Sequence, residues 1–393
     1  MAKNSKIYDV AIVGGGLAGL TLSCLLGRHG LKIACIDQQG AAQSTGDLRT
    51  TVISYGSRLI LEEAGIWARM DSEPGPIEEI KILDGNSPLL LDFLKEESNG
   101  KIFGWNTENA DLRAAMMKTI AALENVDHIA PAKVNDFKVE KDKAHIMLDG
   151  GGSITAKLVV GADGRKSFTR DWMDVPVREW NYRQRAIICN VTHENPHHNI
   201  AVEHFFPAGP FAILPMSGSK TGEHRSSVVF TEHGPVNKSL MRLSDDDFNN
   251  ELQKNFPENY GRVQMLGRRA AYPLSLIHAA HYIAPRMALV ADAAHGIHPI
   301  AGQGLNLGFR DVKALADILK DAPDPGAPDI LEMYQRRRRP DNMAMVAVTD
   351  ALVRLFSNNI APVRALRRTG LKMIGKLPAA KRFFIRQAMG DRG

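Results

Sequence analysis

Asp292 closes a short apolar run, Ala288 to Val290. Beyond a Pro/Gly-rich loop the chain reads Ala301-Gly302-Gln303-Gly304, before helical spacing begins near Leu305. A carboxylate at the end of a strand can accept hydrogen bonds from the hydroxyls of a sugar-alcohol chain. Glycines there leave backbone N–H groups uncovered at a helix N-terminus, where the helix dipole favours negative charge. A flavin makes use of both. Its ribityl hydroxyls need an acceptor, and reduction places an anion on its N1–C2=O edge. Taken alone, the same run is also an ordinary strand, loop and glycine-rich helix start.

The N-terminus carries a second such constellation. Ile7 to Val13 is nearly unbroken apolar sequence, the pattern of a buried parallel strand. Gly14-Gly15-Gly16-Leu17-Ala18-Gly19 fits G-x-G-x-x-G at the strand-to-helix turn, and Leu31 to Ile36 leads to Asp37. In that order Gly14 makes the tight turn, Gly16 admits a pyrophosphate, Gly19 lets the helix approach the strand, and Asp37 meets an adenosine ribose. The motif by itself does not separate NAD from FAD. A third segment follows: Leu158 to Val160 runs into Gly161-Ala162-Asp163-Gly164-Arg165, with Arg170 soon after. This is a second strand-end carboxylate beside a glycine, although read alone Asp163-Gly164 is an ordinary turn. No second strand–G-x-G-x-x-G–helix unit is present, and Gly150-Gly151-Gly152 lies between strand-like runs as a hairpin turn. A nicotinamide cofactor is therefore expected to visit rather than reside.

With 393 residues and 44% hydrophobic content, the chain can bury a large core in two or three lobes. Cys24, Cys35 and Cys189 have neither metal-ligand nor disulfide spacing, so no metal site is expected. No segment reads as a signal peptide or is long and apolar enough to span a bilayer, and a cytoplasmic setting is expected. Charge is uneven. From Ala351 to Gly393 ten Lys or Arg stand against one acid, a net of +9, which leaves −4 for the rest of a chain whose total is +5. Met373, Leu377, Phe383, Phe384 and Ile385 are interspersed there. Such a segment either lies on an anionic membrane face or packs as a basic helix on its own protein. The basic residues show no nucleic-acid-reading motif, and nucleic acid is not an expected partner.

The fold class expected is α/β. A discontinuous Rossmann-type FAD-binding domain would occupy residues 1–75, 101–174 and 281–345. A mixed β-sheet substrate domain, from 76–100 and 175–280, is inserted into it, and a basic amphipathic helical region follows over 346–393. A helix is expected up to about Gly65, strands over 77–95, and a helix over Ala110 to Leu123. Strands are expected again over 133–160, at Arg185 to Val191, Phe211 to Pro215 and Ser226 to Phe230.

Over nearly its full length the chain resembles the ubiquinone-biosynthesis FAD-dependent hydroxylases, within the para-hydroxybenzoate-hydroxylase-like flavoprotein monooxygenases. Beyond the three cofactor motifs, the resemblance rests on Arg49-Thr50-Thr51 with Tyr55-Gly56-Ser57, Glu108-Asn109 with Leu112-Arg113, and Phe206 to Pro215. It continues through Tyr272-Pro273-Leu274, Tyr334 to Asn342, and Thr349-Asp350-Ala351-Leu352. The resemblance implies FAD as cofactor, NAD(P)H as transient reductant and O2 as co-substrate, acting through a flavin C4a-hydroperoxide on a polyprenylated phenol or quinone precursor. It implies that Arg49, Asn109 and Arg113 lie near the cofactor. Gly302, Gln303, Gly304, Leu305 and Asn306 would hold the flavin's pyrimidine edge, Pro299 would wall its reactive face, and Phe211 and Leu214 would line the substrate pocket. The basic C-terminus would contact the membrane or a quinone-biosynthesis complex. A hydroxylase of a small soluble aromatic acid and a flavoprotein scaffold are the competing readings. No catalytic acid or base is nominated, since His295 and His298 beside the loop fit packing roles. One departure from the family stands out: Ala291 occupies the position before Asp292 where the family carries glycine. A strand-end backbone would accept alanine, and a positive φ would not.

Overall fold

Strands that are apolar on both faces belong inside a parallel sheet covered on both sides. The structure, a computed structural model describing residues 6–40, 47–85, 90–218, 222–357 and 360–390, contains such a sheet. Its order is Met287–Leu289, Ser153–Gly161, Ile7–Val13, Ile33–Ile36 and Val126–Ile129, with every neighbouring pair parallel. The helices Leu17–Arg28, Asn109–Ala121 and Gly304–Leu319 bury their apolar faces in one core with residues of these strands, including Ile12, Val160 and Leu289. Antiparallel strands Val134–Val139 and Ala144–Leu148 contribute Phe137 and Ile146 to a second core with Ala11, Ala34 and Val159. The turn into Ser153–Gly161 carries Gly150 and Gly151 at φ +91° and +90°, the left-handed backbone a tight hairpin needs. Residues 1–5 and Asp391, which entered the expectations above, lie outside the described residues.

A second sheet has eight strands. Its backbone is a pair of 17-residue strands, Val177–His193 and Val263–Ala279, joined antiparallel with irregularities at Asn181/Gln184 and Ile188/Asn190. The second of these extends well beyond the Tyr272-Pro273-Leu274 noted in the sequence. Its Gly267-Arg268-Arg269 stretch interrupts the apolar alternation and hides it. Glu79–Asp84 joins this sheet in parallel with Ile200–Phe206, and Leu91–Leu94 pairs beyond it. The helix Asp245–Asn255, absent from the sequence expectations, is capped by Ser244 and carries three aspartates in its first turn. Its Phe248 and Leu252 cover one face of the sheet.

The C-terminal region is three helices rather than one tail. Pro328–Phe356 runs unbroken through residue 346, and Ala361–Lys376 and Pro378–Met389 follow. Arg368 donates to Asp84 at 2.8 Å, with Arg367 beside it, and Lys381 meets Asp92 at 3.1 Å and Glu97 at 2.8 Å. Ile385 and Met389 are buried. Part of the basic charge therefore clamps the helices to the protein. Among the described residues no helix is long and apolar enough to cross a membrane.

The long helix is fastened at one buried point. Asp311, fully buried on the helix Gly304–Leu319, accepts from Arg338 Nε at 2.8 Å and Asn342 Nδ2 at 3.0 Å. Its other oxygen meets His295 Nε2 at 2.5 Å and the Ala291 backbone N–H at 3.1 Å. Burial works to raise the Asp311 carboxyl, but His295, Arg338 and Asn342 outweigh it and hold it down at about 2. A depressed carboxylate contributes stability above its unfolded pKa of about 4, and that contribution is lost as pH falls through the folded value. Asp311→Asn should lower the unfolding free energy at neutral pH by about 3 kcal/mol, the scale for removing one member of a buried ion pair. Urea titrations at stepped pH should show the gap from the unsubstituted protein closing between about pH 4 and pH 2.

Candidate active site

The first turn is built by contacts that only glycine allows. Gly14 sits at φ +109°, and a Cβ there would lie 2.5 Å from the Ala162 carbonyl oxygen. A Cβ on Gly19 would lie 2.0 Å from the Gly14 oxygen, so the helix can approach the turn only without one. Gly16 is the opposite case, since a Cβ there meets nothing within 4 Å. The helix it opens, starting at Leu17 and Ala18, has no side-chain cap and no acid in its first turn. Open space in front of uncapped N–H groups is where a pyrophosphate fits. Asp37 stands at the end of the second strand and accepts from Arg113 at 2.9 Å, while Arg113 also donates to the Gly15 carbonyl. One arginine thus bridges the turn and the strand-end carboxylate.

Asp292 emerges beyond the end of Met287–Leu289 with its side chain 49% exposed, and among the described residues only Arg165, at 3.6 Å, is in ion-pair range. Its carboxylate remains available to hydroxyls. Arg165 donates to the Ser275 and Ile297 carbonyls at 2.7 and 2.8 Å, and Arg170 donates to the Ala293 carbonyl at 3.1 Å, so the Asp-Gly segment pins the loop after Asp292. Asp163 itself is engaged internally. It accepts from the Thr169 N–H at 2.9 Å and from the Ser167 hydroxyl, and so holds the start of the helix Phe168–Trp172. Gly164 at φ +82° faces open space.

In the loop, Gly302 at φ +63° donates to the Pro299 carbonyl at 2.8 Å and closes a turn on which Pro299 stands exposed. The helix from Gly304 and Leu305 has neither a side-chain cap nor an acid in its first turn. Gln303 reaches the Ala388 carbonyl at 3.2 Å, tying the loop to the last helix. Asn306, expected at the cofactor edge, is buried and donates to the Val52 and Gly302 carbonyls at 2.8 and 3.0 Å while accepting from the Ser54 N–H at 3.0 Å. Its side chain braces the loop rather than facing a ligand. Arg49 forms a two-pronged pair with Asp47 at 2.8 and 2.7 Å, and Asn109 donates to the same carboxylate at 3.1 Å. Asp47 had no role in the sequence reading, yet it is the residue that sets both neighbours.

Phe211 requires a correction. Its ring is fully buried on the face of the second sheet that packs against Phe230, Phe256 and Phe248, away from the flavin loop. Strand alternation turns Leu214 the other way, into a cluster with Val52, Ile77, Ala201, Ile385 and Met389. The histidines act as supports. His295 is held by Asp311, and His298 Nδ1 accepts from the Ile300 N–H at 3.1 Å. Burial first and the Arg165 charge second hold His298 down at about 4, which leaves its ring neutral at physiological pH. Ala291 adopts φ +53°, so the backbone does need the glycine-like conformation there. Space for its methyl comes from Gly308, where a Cβ would stand 2.7 Å away.

These features fit FAD: an open glycine turn before an uncapped helix, a strand-end carboxylate at Asp37 paired with Arg113, a half-exposed carboxylate at Asp292 and an uncapped helix start at Gly304. Residues 7–349 match the family described as FAD binding domain. The chain is 43% identical to the ubiquinone hydroxylase UbiL of Rhodospirillum rubrum, over 98% of this chain and 90% of that one. It belongs to the ubiquinone-biosynthesis FAD-dependent hydroxylases. The 3-demethoxyubiquinol 3-hydroxylase of Escherichia coli is 32% identical over 97% of this chain and 98% of its own length. Among solved structures, p-nitrophenol 4-monooxygenase from Pseudomonas putida superposes with a TM-score of 0.81 at 19% identity, covering 99% of this chain and 100% of that one. This hydroxylase is thus an FAD-dependent monooxygenase.

Two glycines should separate binding from folding. Gly16→Val should keep the protein folded but abolish FAD retention through desalting, because its side chain occupies only the space left for the pyrophosphate. Gly14→Val should lower the melting temperature even without flavin. Ala291→Gly should stabilise the protein by about 1 kcal/mol in chemical denaturation, the cost of a left-handed alanine.

Proposed function

We propose that this hydroxylase adds one oxygen atom to the ring of a polyprenylated phenol or quinol precursor of ubiquinone. The observation that carries the reading is the apolar face formed by Ile80, Ala201 and Leu214 on the second sheet, roofed by Ile385 and Met389. Val52 belongs to the same cluster and also lies 3.7 Å from the Cβ position of Gly302 in the flavin loop. A hydrocarbon tail suits such walls. The relatives named ubiquinone hydroxylase and 3-demethoxyubiquinol 3-hydroxylase support the same substrate class.

Bound FAD supplies the reductive activation of O2, and the chain's residues do the placing. Gly16 and the helix behind it take the pyrophosphate, Asp37 and Arg113 the adenosine ribose, and Asp292 the ribityl hydroxyls. The N–H groups opening the helix at Gly304 would stabilise the negative charge that reduction brings to the bound flavin. Pro299 gives that site a rigid wall without a donor, and the roof of Ile385 and Met389 keeps water off the reacting ring.

The same reading gives the tail a membrane role. Met373, Leu377, Phe383 and Phe384 are exposed by 56%, 51%, 52% and 42%, and Lys376, Arg382 and Arg386 are exposed beside them. Apolar side chains ringed by cations suit an anionic lipid surface, where a prenylated substrate resides.

The purified protein should show flavin absorbance that survives desalting, and with NAD(P)H and O2 it should convert a short-chain prenylphenol to a product one oxygen heavier by mass spectrometry. Preferential turnover of para-hydroxybenzoate would overturn the substrate assignment. In flotation assays with anionic vesicles, Phe383→Ser/Phe384→Ser should leave the protein in the lower fractions while hydroxylation of the short-chain substrate persists.

A further inference from the structure

Glu203 is the acidic residue of the strand Ile200–Phe206, and its alternation places it on the same face as Ala201 and Phe205. Across the strands it pairs with Ala212 and Ile82. Ala201 packs with Ile385 and Met389 of the last helix. Phe205 packs with Val353 and Phe356 of the long helix and with Ile300 of the flavin loop, stacking on Phe356 at 3.9 Å. Glu203 therefore lies between the two apolar clusters that flank the flavin loop. Ala201, Val202, Phe205 and Ala212 around it are buried, while Glu203 is half-buried.

No described residue donates a hydrogen bond to this carboxylate, and no described cation pairs with it. The charged groups of the surrounding elements are occupied with one another. Asp84, further along the neighbouring strand, is bound by Arg367 and Arg368. Lys381 of the last helix is bound by Asp92 and Glu97. Tyr182, packed beside Phe205, donates to Asp350 of the long helix at 2.8 Å and meets the neutral ring of His298 edge-on. Burial alone pushes the Glu203 carboxyl up to about 7. A carboxyl group kept without a partner in an apolar surround is costly to the fold unless a ligand completes it.

We infer that Glu203 is the catalytic base for the substrate's ring hydroxyl, accepting its proton from within the apolar pocket. This rests on the phenol or quinol substrate proposed above. The substrate O–H bond breaks heterolytically, its proton passes to a Glu203 carboxylate oxygen, and the electron pair left on oxygen enriches the ring carbons ortho and para to it. After oxygen transfer, the attacked carbon loses its hydrogen to solvent as a proton. Glu203 returns its own proton to the ring oxygen, which restores the phenol. The carboxylate starts and ends the cycle unprotonated. A base whose pKa lies near the working pH is the effective kind for such a transfer.

The test uses the FAD-loaded enzyme with NAD(P)H and a short-chain prenylphenol, comparing the unsubstituted protein with Glu203→Gln and Glu203→Asp. With the unsubstituted enzyme, kcat for product should rise with pH through a midpoint near 7. In Glu203→Gln it should fall by about a hundred-fold or more and lose that midpoint, while FAD retention stays unchanged and the melting temperature does not fall. Glu203→Asp should recover part of the rate. A Glu203→Gln enzyme that keeps both the rate and the pH profile would overturn the assignment while leaving the substrate reading intact. Should the loaded, unsubstituted enzyme neither bind the prenylphenol, read as a change in flavin absorbance, nor turn it over, the substrate reading falls and the base assignment falls with it.

Discussion

One buried carboxylate holds the architecture together around the cofactor. Asp311 grips the Ala291 amide at the start of the flavin loop and Arg338 and Asn342 on the long helix at the same time. Asp292 follows directly on Ala291, so its position depends on that grip. Buried charges with incomplete pairing are destabilising, but Asp311 receives four donors, and each of the three elements it touches is fixed relative to the others. The Tyr334 hydroxyl adds a further tie from the long helix to the Leu289 carbonyl at 2.8 Å. The left-handed Ala291 persists because the surroundings over-determine it: its N–H is held and its methyl fits against Gly308.

The cofactor half of the molecule was readable in the sequence because it depends on backbone. A glycine that must lack a Cβ, or a carboxylate that must end a strand, leaves a mark at a fixed offset from an apolar run. Gly14, Gly19, Asp37 and Asp292 all stand where such offsets place them. Side chains that brace other side chains leave no such mark. Asp47 meets Asn109 and Asp311 meets Arg338 across long stretches of chain, and no local pattern foretells those pairings. Asn306 shows the same limit from the other side, since its place in the motif suggested the ligand and its bonds run to Val52, Ser54 and Gly302.

The substrate half was less legible, for reasons of parity. A strand's alternation tells which residues share a face but not which face meets the site. Phe211 and Leu214, three residues apart on one strand, therefore fell together in the sequence and apart in the structure. Glu203 follows the same rule. In Ile200-Ala201-Val202-Glu203-His204-Phe205 the acid reads as a solvent position until Ala201 and Phe205 are seen buried on its own side.

The last helix closes over elements that come from the beginning of the chain. The Gly390 carbonyl lies so close to Gly56 that a Cβ there would stand 2.6 Å from it, and the Ala388 carbonyl accepts from Gln303. Synthesis proceeds from the N-terminus, so the pyrophosphate turn and its first strands exist long before the residues that roof the apolar pocket. The strand Met287–Leu289, which delivers Asp292, also arrives late. During most of translation the nascent chain therefore carries an unfinished parallel sheet and an open apolar face, both completed only by segments late in the sequence.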